Sequence, residues 1–208
     1  MEVVNFQKDQ SESGLRLVPE PVEVAEFPSI DKQFVNFMFF RVNPEWRKLD
    51  DNTKRVLKSE FQRVFEKFRD AFLLFSYSLV GFDSKADLMF WRIGTSLDLI
   101  QEMTASLNQT DLGSYLEMTD NYLSATKRMM FVGEEAIDRT RVQAGAANYL
   151  FVYPCAKDKD WLDIPAAERE AMIEENFMVG KKFPNIRIHM THAFGFSEQE
   201  YVISFETD

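Results

Sequence analysis

The sequence predicts an α+β protein made of two ferredoxin-like halves that together form an α+β barrel, the second half lacking its last helix and strand. Three observations predict it. Hydrophobic periodicity gives the order β-α-β-β-α in the first part of the chain. The order β-α-β-β then returns before the C-terminus. The chain also carries 20 phenylalanines among 208 residues, and large side chains without a polar handle call for a well-filled interior or a broad subunit interface.

Residues 1–30 read as an irregular arm, punctuated by Pro19, Pro21 and Pro28, in which Val22 to Val24 can pair only as an edge strand. Gln33 to Val42 is aromatic and β-branched and reads as a strand, broken by Asn43-Pro44. A helix capped by Asp50 or Asp51 follows, with Leu57, Phe61, Val64, Phe65 and Phe68 on one face. Ala71 to Val80 and Ala86 to Ile93 are the next two strands. Thr95 to Gln109 is a helix, because Thr95 stands three before Asp98 as in a capping box and Leu97, Ile100, Thr104 and Leu107 share a stripe. Leu112 to Ala146 is less regular. Asn148 to Tyr153 is a short strand, and a helix runs from Pro165 to about Val179 and stops at Gly180. Ile186 to Ala193 and Tyr201 to Glu206 complete the order, separated by the turn at Gly195-Phe196-Ser197. The expected organisation is therefore an arm over 1–30, a first half over 31–145 and an incomplete second half over 146–208. A ferredoxin-like unit needs one more helix and strand than this second half supplies. An open sheet edge is a pairing hazard, so association into a homo-oligomer or hetero-oligomer is expected.

Composition narrows the function classes. Hydrophobic residues make up 45% and charged residues 28% of the chain, as in ordinary globular proteins. A net charge of −10 without a basic run longer than Lys181-Lys182 disfavours nucleic acid and anionic membranes as partners. The single cysteine, Cys155, forbids an internal disulfide and reads as a small buried residue. The start of the chain is polar where a signal peptide would be apolar, and the apolar run around Phe37 to Phe40 is far too short to span a bilayer. A soluble, cytoplasmic protein is expected.

Three stretches carry a family likeness: ADLMFWRIGTSLDLIQEMTASLNQTDLGSYL from Ala86 to Leu116, YLFVYPCAK from Tyr149 to Lys157 followed by Trp161, and EREAMIEENFMVGKKFPNIRIHMTHAFGFSEQEYVISFETD from Glu168 to Asp208. Together they resemble the family of chlorite dismutases and peroxide-dependent coprohaem decarboxylases. That resemblance implies haem b or coprohaem bound in the second half of a ring-shaped oligomer. It implies that Tyr153 and Lys157 are the catalytic pair of a decarboxylase, the Tyr carrying a radical towards a propionate and the Lys assisting as proton donor or propionate partner. It implies that Trp161 lines the cofactor, and that the helix position now held by Asn176 should carry the iron-ligating histidine. A neutral amide oxygen is a poor donor to haem iron, so Asn176 weighs against the cofactor that the family implies.

The only histidines are His189 and His192. Three apart on a strand, they point to opposite faces. Thirteen residues on from Asn176, His189 stands near the family's distal position and is the candidate metal ligand, unless the alignment slips by one in the shorter run to Gly195. The competing reading of each histidine, and the one favoured by sequence alone, is a polar strand residue near the surface. The leading expectation is a haem- or coprohaem-binding protein, a peroxide-dependent decarboxylase if active, with a porphyrin and peroxide as partners. The alternatives are a haem-free relative that has kept the fold for assembly, and a cofactor-free enzyme on the same barrel.

Overall fold

The computed structural model describes residues 32–126, 141–145, 147–193, 195 and 198–208, with the strands Phe6–Gln7 and Arg16–Leu17, but not the side chains of Leu162, Asn176, Phe177 and Lys181. In the N-terminal unit, 1–30, β1 (Phe6–Gln7) and β2 (Arg16–Leu17) pair antiparallel, Phe6 opposite Leu17. The expected edge strand at Val22 to Val24 lies outside the described residues.

The second unit is α+β. β3 (Phe34–Val42), a short α1 (Glu45–Lys48), α2 (Asp51–Lys67), β4 (Phe72–Ser78), β5 (Leu88–Gly94), α3 (Leu97–Asn108) and β6 (Leu116–Ala125) come first. β7 (Tyr149–Cys155), α4 (Ala166–Lys181), β8 (Arg187–Ala193) and β9 (Tyr201–Thr207) follow. Seven strands form one antiparallel sheet in the order β4-β5-β3-β6-β8-β9-β7. Its first four strands, with α2 and α3, have the order of a ferredoxin-like unit. The last three repeat that order as far as they go. The halves meet where Ser124 and Ala125 of β6 pair with Ala193 and His192 of β8.

β3 shows why the first half folds this way. Its run FVNFMFF is apolar almost without alternation because both faces of this central strand are buried. Met38 and Phe40 point to one side, where Phe90 of β5 joins them and α2 and α3 cover them with Phe61, Phe68, Ile100, Met103 and Leu107. Val35 and Phe37 point to the other, with Met89, Trp91 and Ile93 of β5 and Val202 of β9. That second core draws on both halves. A flat sheet would hold β5 and β8 about 14 Å apart across two intervening strands. The rings of Trp91 and His189 are instead 6.2 Å apart, so the sheet curls around this core.

The local signals hold with corrections. Asp50 caps α2, its carboxylate accepting the Thr53 amide at 3.0 Å. Ser96, not Thr95, caps α3, its hydroxyl accepting the Leu99 amide at 3.3 Å. Helix α4 passes through Gly180 to Lys181. The stretch read as irregular contains β6, a ten-residue strand paired along the whole of β3. The Leu112-Gly113-Ser114-Tyr115-Leu116 segment lies against the end of α3, where a Cβ at Gly113 would sit 2.3 Å from the Leu107 carbonyl oxygen. Only glycine allows that approach.

Candidate functional site

Register sorts the second half into two faces. Tyr153 pairs with Ile203 and Ile203 with Met190; Phe151 pairs with Phe205 and Phe205 with Ile188; Cys155 pairs with Tyr201 and Tyr201 with His192. These residues share the face that continues the helix-covered side of the first half. His189, Thr191, Val202, Ser204 and Glu206 occupy the other face and are buried in the interior of the curled sheet.

The two halves differ in how that outer face is filled. In the first, Met38 is 1% and Phe90 4% exposed beneath two helices. In the second, Ile188 is 47%, Met190 42%, Phe151 49% and Tyr153 50% exposed. Helix α4 presents Met172, Ile173, Met178 and Val179, all exposed as well. Its C-terminal end lies over the sheet, a Cβ at Gly180 falling 3.9 Å from the Ile188 side chain. The result is a contiguous apolar face, aromatic towards β7, with much of its area uncovered.

Three of the residues singled out from the sequence border this face. The Tyr153 ring stands edge-on to Phe205, with centroids 5.7 Å apart. The Lys157 ammonium lies 5.1 Å from the Tyr201 ring centre and 5.5 Å from that of Trp161, a distance at which a cation is held by the aromatic quadrupole. Position 176 falls within α4, but its side chain lies outside the described residues. Cys155, expected to be buried, is only half-buried.

His189 is directed elsewhere. Its Nε2 is 3.1 Å from Glu206 Oε2, and Glu206 Oε1 accepts the Gly145 amide at 2.7 Å. A carboxylate only accepts, so Nε2 carries the hydrogen and donates it. Burial pushes the His189 imidazole below its ordinary pKa, against an upward pull from Glu206 and with a further downward push from Arg187. Burial and the Glu206 charge push the Tyr77 phenol up to about 12. His189 therefore belongs to a buried polar cluster on the face opposite Tyr153. Strand alternation is the physical reason: the outward positions of β8 are Ile188, Met190 and His192, so counting thirteen residues from Asn176 arrives one short of or past the outer face. Among the described residues, no three His, Cys, Asp or Glu side chains cluster as a metal site. No helix of the described residues is long and apolar enough to cross a membrane.

Comparison with known proteins fixes the lineage. The family model described as chlorite dismutase matches residues 30–208. The chain belongs to the chlorite dismutase family. It is similar to the chlorite dismutase of Ideonella dechloratans, 21% identical over 196 residues, which span 90% of this chain and 69% of that protein. A solved chlorite dismutase variant from Candidatus Nitrospira defluvii superposes with a TM-score of 0.75 at 22% identity, covering 86% of this chain and 78% of that one. The structure of the same enzyme in complex with imidazole gives 0.73 at 22% identity, covering 84% and 76%. At such identities the likeness establishes the fold.

Chlorite dismutase family proteins bind haem, and the outer face can be tested against that group. It fits the macrocycle, since a porphyrin plane needs a broad apolar and aromatic surface with cationic groups near its carboxylates, and Lys157 stands at the rim. It does not fit an iron ligand from α4, because haem iron takes imidazole, thiolate, thioether or phenolate and position 176 offers an amide. Sequence reasoning missed the apolar body of the face, Ile188, Met190, Ile203 and Phe205. The alternation of burial along β8 and β9 reveals it, and that needs the register.

Proposed function

We propose that the protein binds a haem-type tetrapyrrole, coprohaem or haem b, on the outer face of β7, β9 and β8 beneath α4. The observation that carries the reading is the contrast between the two halves. The same side of the same sheet is filled by helices in the first half, while in the second it presents large exposed apolar side chains. Burying them under a planar apolar ligand is favourable by about 25 cal/mol per Å² of apolar surface removed from water. Lys157, steadied between Trp161 and Tyr201, supports a ligand with carboxylate substituents, since an ammonium forms charge-assisted hydrogen bonds with them.

The family likeness assigns Tyr153 and Lys157 the roles of a peroxide-dependent coprohaem decarboxylase. Both border the face, which supports a shared site. With an amide at position 176, α4 supplies no imidazole donor to the iron, and binding rather than oxidative chemistry is the function proposed.

Titration of the purified protein with ferric coprohaem and with haem b tests the reading. A saturable Soret shift at one equivalent is expected, weakened about tenfold or more by Ile203→Glu, which sets a charge in the middle of the face. A spectrum that stays that of free porphyrin at every ratio would instead identify a haem-free relative.

A further inference from the structure

We propose that the open edge of β4 is a dimerisation strand, pairing antiparallel with β4 of a second copy of this chain across a two-fold axis at Ser76. The inference is independent of the tetrapyrrole reading.

Among the described residues the sheet has two edges, β4 and β7. The main-chain groups along an edge are a template for another strand, and proteins blunt them with charge, proline or a bulge. β7 carries Pro154, which has no amide to donate, and Lys157 follows it. β4 has none of these devices. From Ala71 to Phe82 the sequence holds no charged residue and no proline, and β4 pairs with β5 in unbroken register. Leu73, Val80 and Phe82 along this stretch are 49%, 66% and 87% exposed.

Register argues for a second β4 as the occupant. The Leu79 amide donates to the Asp87 carbonyl at 2.9 Å. By alternation Leu73, Phe75 and Tyr77 turn their main chain to β5, while Leu74, Ser76 and Ser78 turn theirs to the open edge. With the axis at Ser76 the outward groups match: Ser76 meets the second copy's Ser76, and Leu74 meets the second copy's Ser78. Between these pairs Phe75 comes opposite the second copy's Tyr77, and this contact forms twice. On that face Phe37, Trp91 and Phe75 already make a row of rings across β3, β5 and β4, with centroids 5.5 and 5.3 Å apart. The row stops at the edge, where Phe75 and Tyr77 are only partly buried. The two-fold pair continues it, and cross-strand aromatic pairs of this kind stabilise a sheet. The same operation sets the exposed Leu73 beside the second copy's Leu79. Such a contact uses one patch twice and closes at two copies.

Sedimentation velocity of the full chain over a dilution series tests the proposal. Wild type is expected to sediment as a dimer that dissociates on dilution. Ser76→Lys and Ser76→Asp alter an exposed position, and circular dichroism checks that each keeps its fold. Each variant alone sets like charges face to face on the axis and is expected to dimerise about a hundredfold or more weaker. An equimolar mixture of the two is expected to recover the dimer as a pair of opposite charges, which a folding defect would not do. A wild type monomeric at every concentration, a Ser76→Lys dimer as tight as wild type, or a mixture that stays monomeric would overturn the proposal. So would loss of the dimer in Phe151→Lys, which charges the exposed face of the second half and leaves β4 untouched.

Discussion

Two histidines three residues apart on β8 serve opposite sides of one sheet. His189 is neutral and buried, and its protonation opposes folding. Its folded pKa is lowered, so its contribution to stability is complete above the ordinary histidine pKa and is lost as pH falls through the lowered folded value. The groups facing it are Glu206, Arg187 and the Trp91 ring. Thermal denaturation between about pH 7.5 and about pH 5.5 should show a falling Tm, and His189→Gln should flatten the slope over that window. An identical slope in the variant would remove His189 as the cause. Arg92 is the corresponding buried cation of the first half. Burial lowers its pKa to about 10, which still leaves it charged at neutral pH. It donates to the Asn36 side-chain oxygen, to Thr104 Oγ1 at 2.9 Å and to the Ile100 carbonyl at 3.2 Å. Arg92→Met removes both donors to the buried Asn36 oxygen, while the Ile100 carbonyl keeps the Thr104 hydroxyl at 2.8 Å, and should cost about 2–4 kcal/mol in urea unfolding.

At the scale of elements, close packing explains both what the sequence revealed and what it concealed. Phe90 meets Phe40, Phe61 and Phe65 with ring centroids 5.0 to 5.9 Å apart. Phe90→Ala should therefore destabilise the fold by about 3–5 kcal/mol. Gly113→Ala should cost about 1–3 kcal/mol, because the added carbon meets backbone at the end of α3 and not a side chain that can swing away. Shifts in denaturant midpoint at constant slope measure both. The helices and β3 were legible because an apolar stripe at helical spacing, and a strand apolar on both faces, are strong periodic signals. β6 was hidden because Glu117, Thr119, Asp120, Asn121 and Ser124 read as loop. Its pairing with β3 comes from distant residues, which no local pattern encodes. The cap of α3 was misplaced by one residue because Thr95 and Ser96 are both competent caps. The family likeness names Tyr153, Lys157 and Trp161 together, and the structure sets them along the border of one face. The direction of His189 was not, since a shift of one residue in register sends every side chain of a strand to the other face.

At the largest scale, the unit from Asp31 to Asp208 is organised around one asymmetry: two halves of the same order, one filled on its outer face by its own helices and the other presenting exposed apolar side chains. Among the described residues the two parts of the sheet pair through Ser124 and Ala125 of β6 with Ala193 and His192 of β8. The helix-covered core is built from first-half residues, so ligand bound to the outer face of the second half should leave that core unchanged. The measurement that tests this most directly is methyl nuclear magnetic resonance of Met- and Ile-labelled protein titrated with diamagnetic, iron-free coproporphyrin. A porphyrin ring current should move the methyls of Met190, Ile188, Ile203 and Met172 and leave Met38 and Met103, buried under α2 and α3, in place. Perturbations centred on Met38 and Met103, or none at all at saturating porphyrin, would contradict the assignment of the outer face as the site.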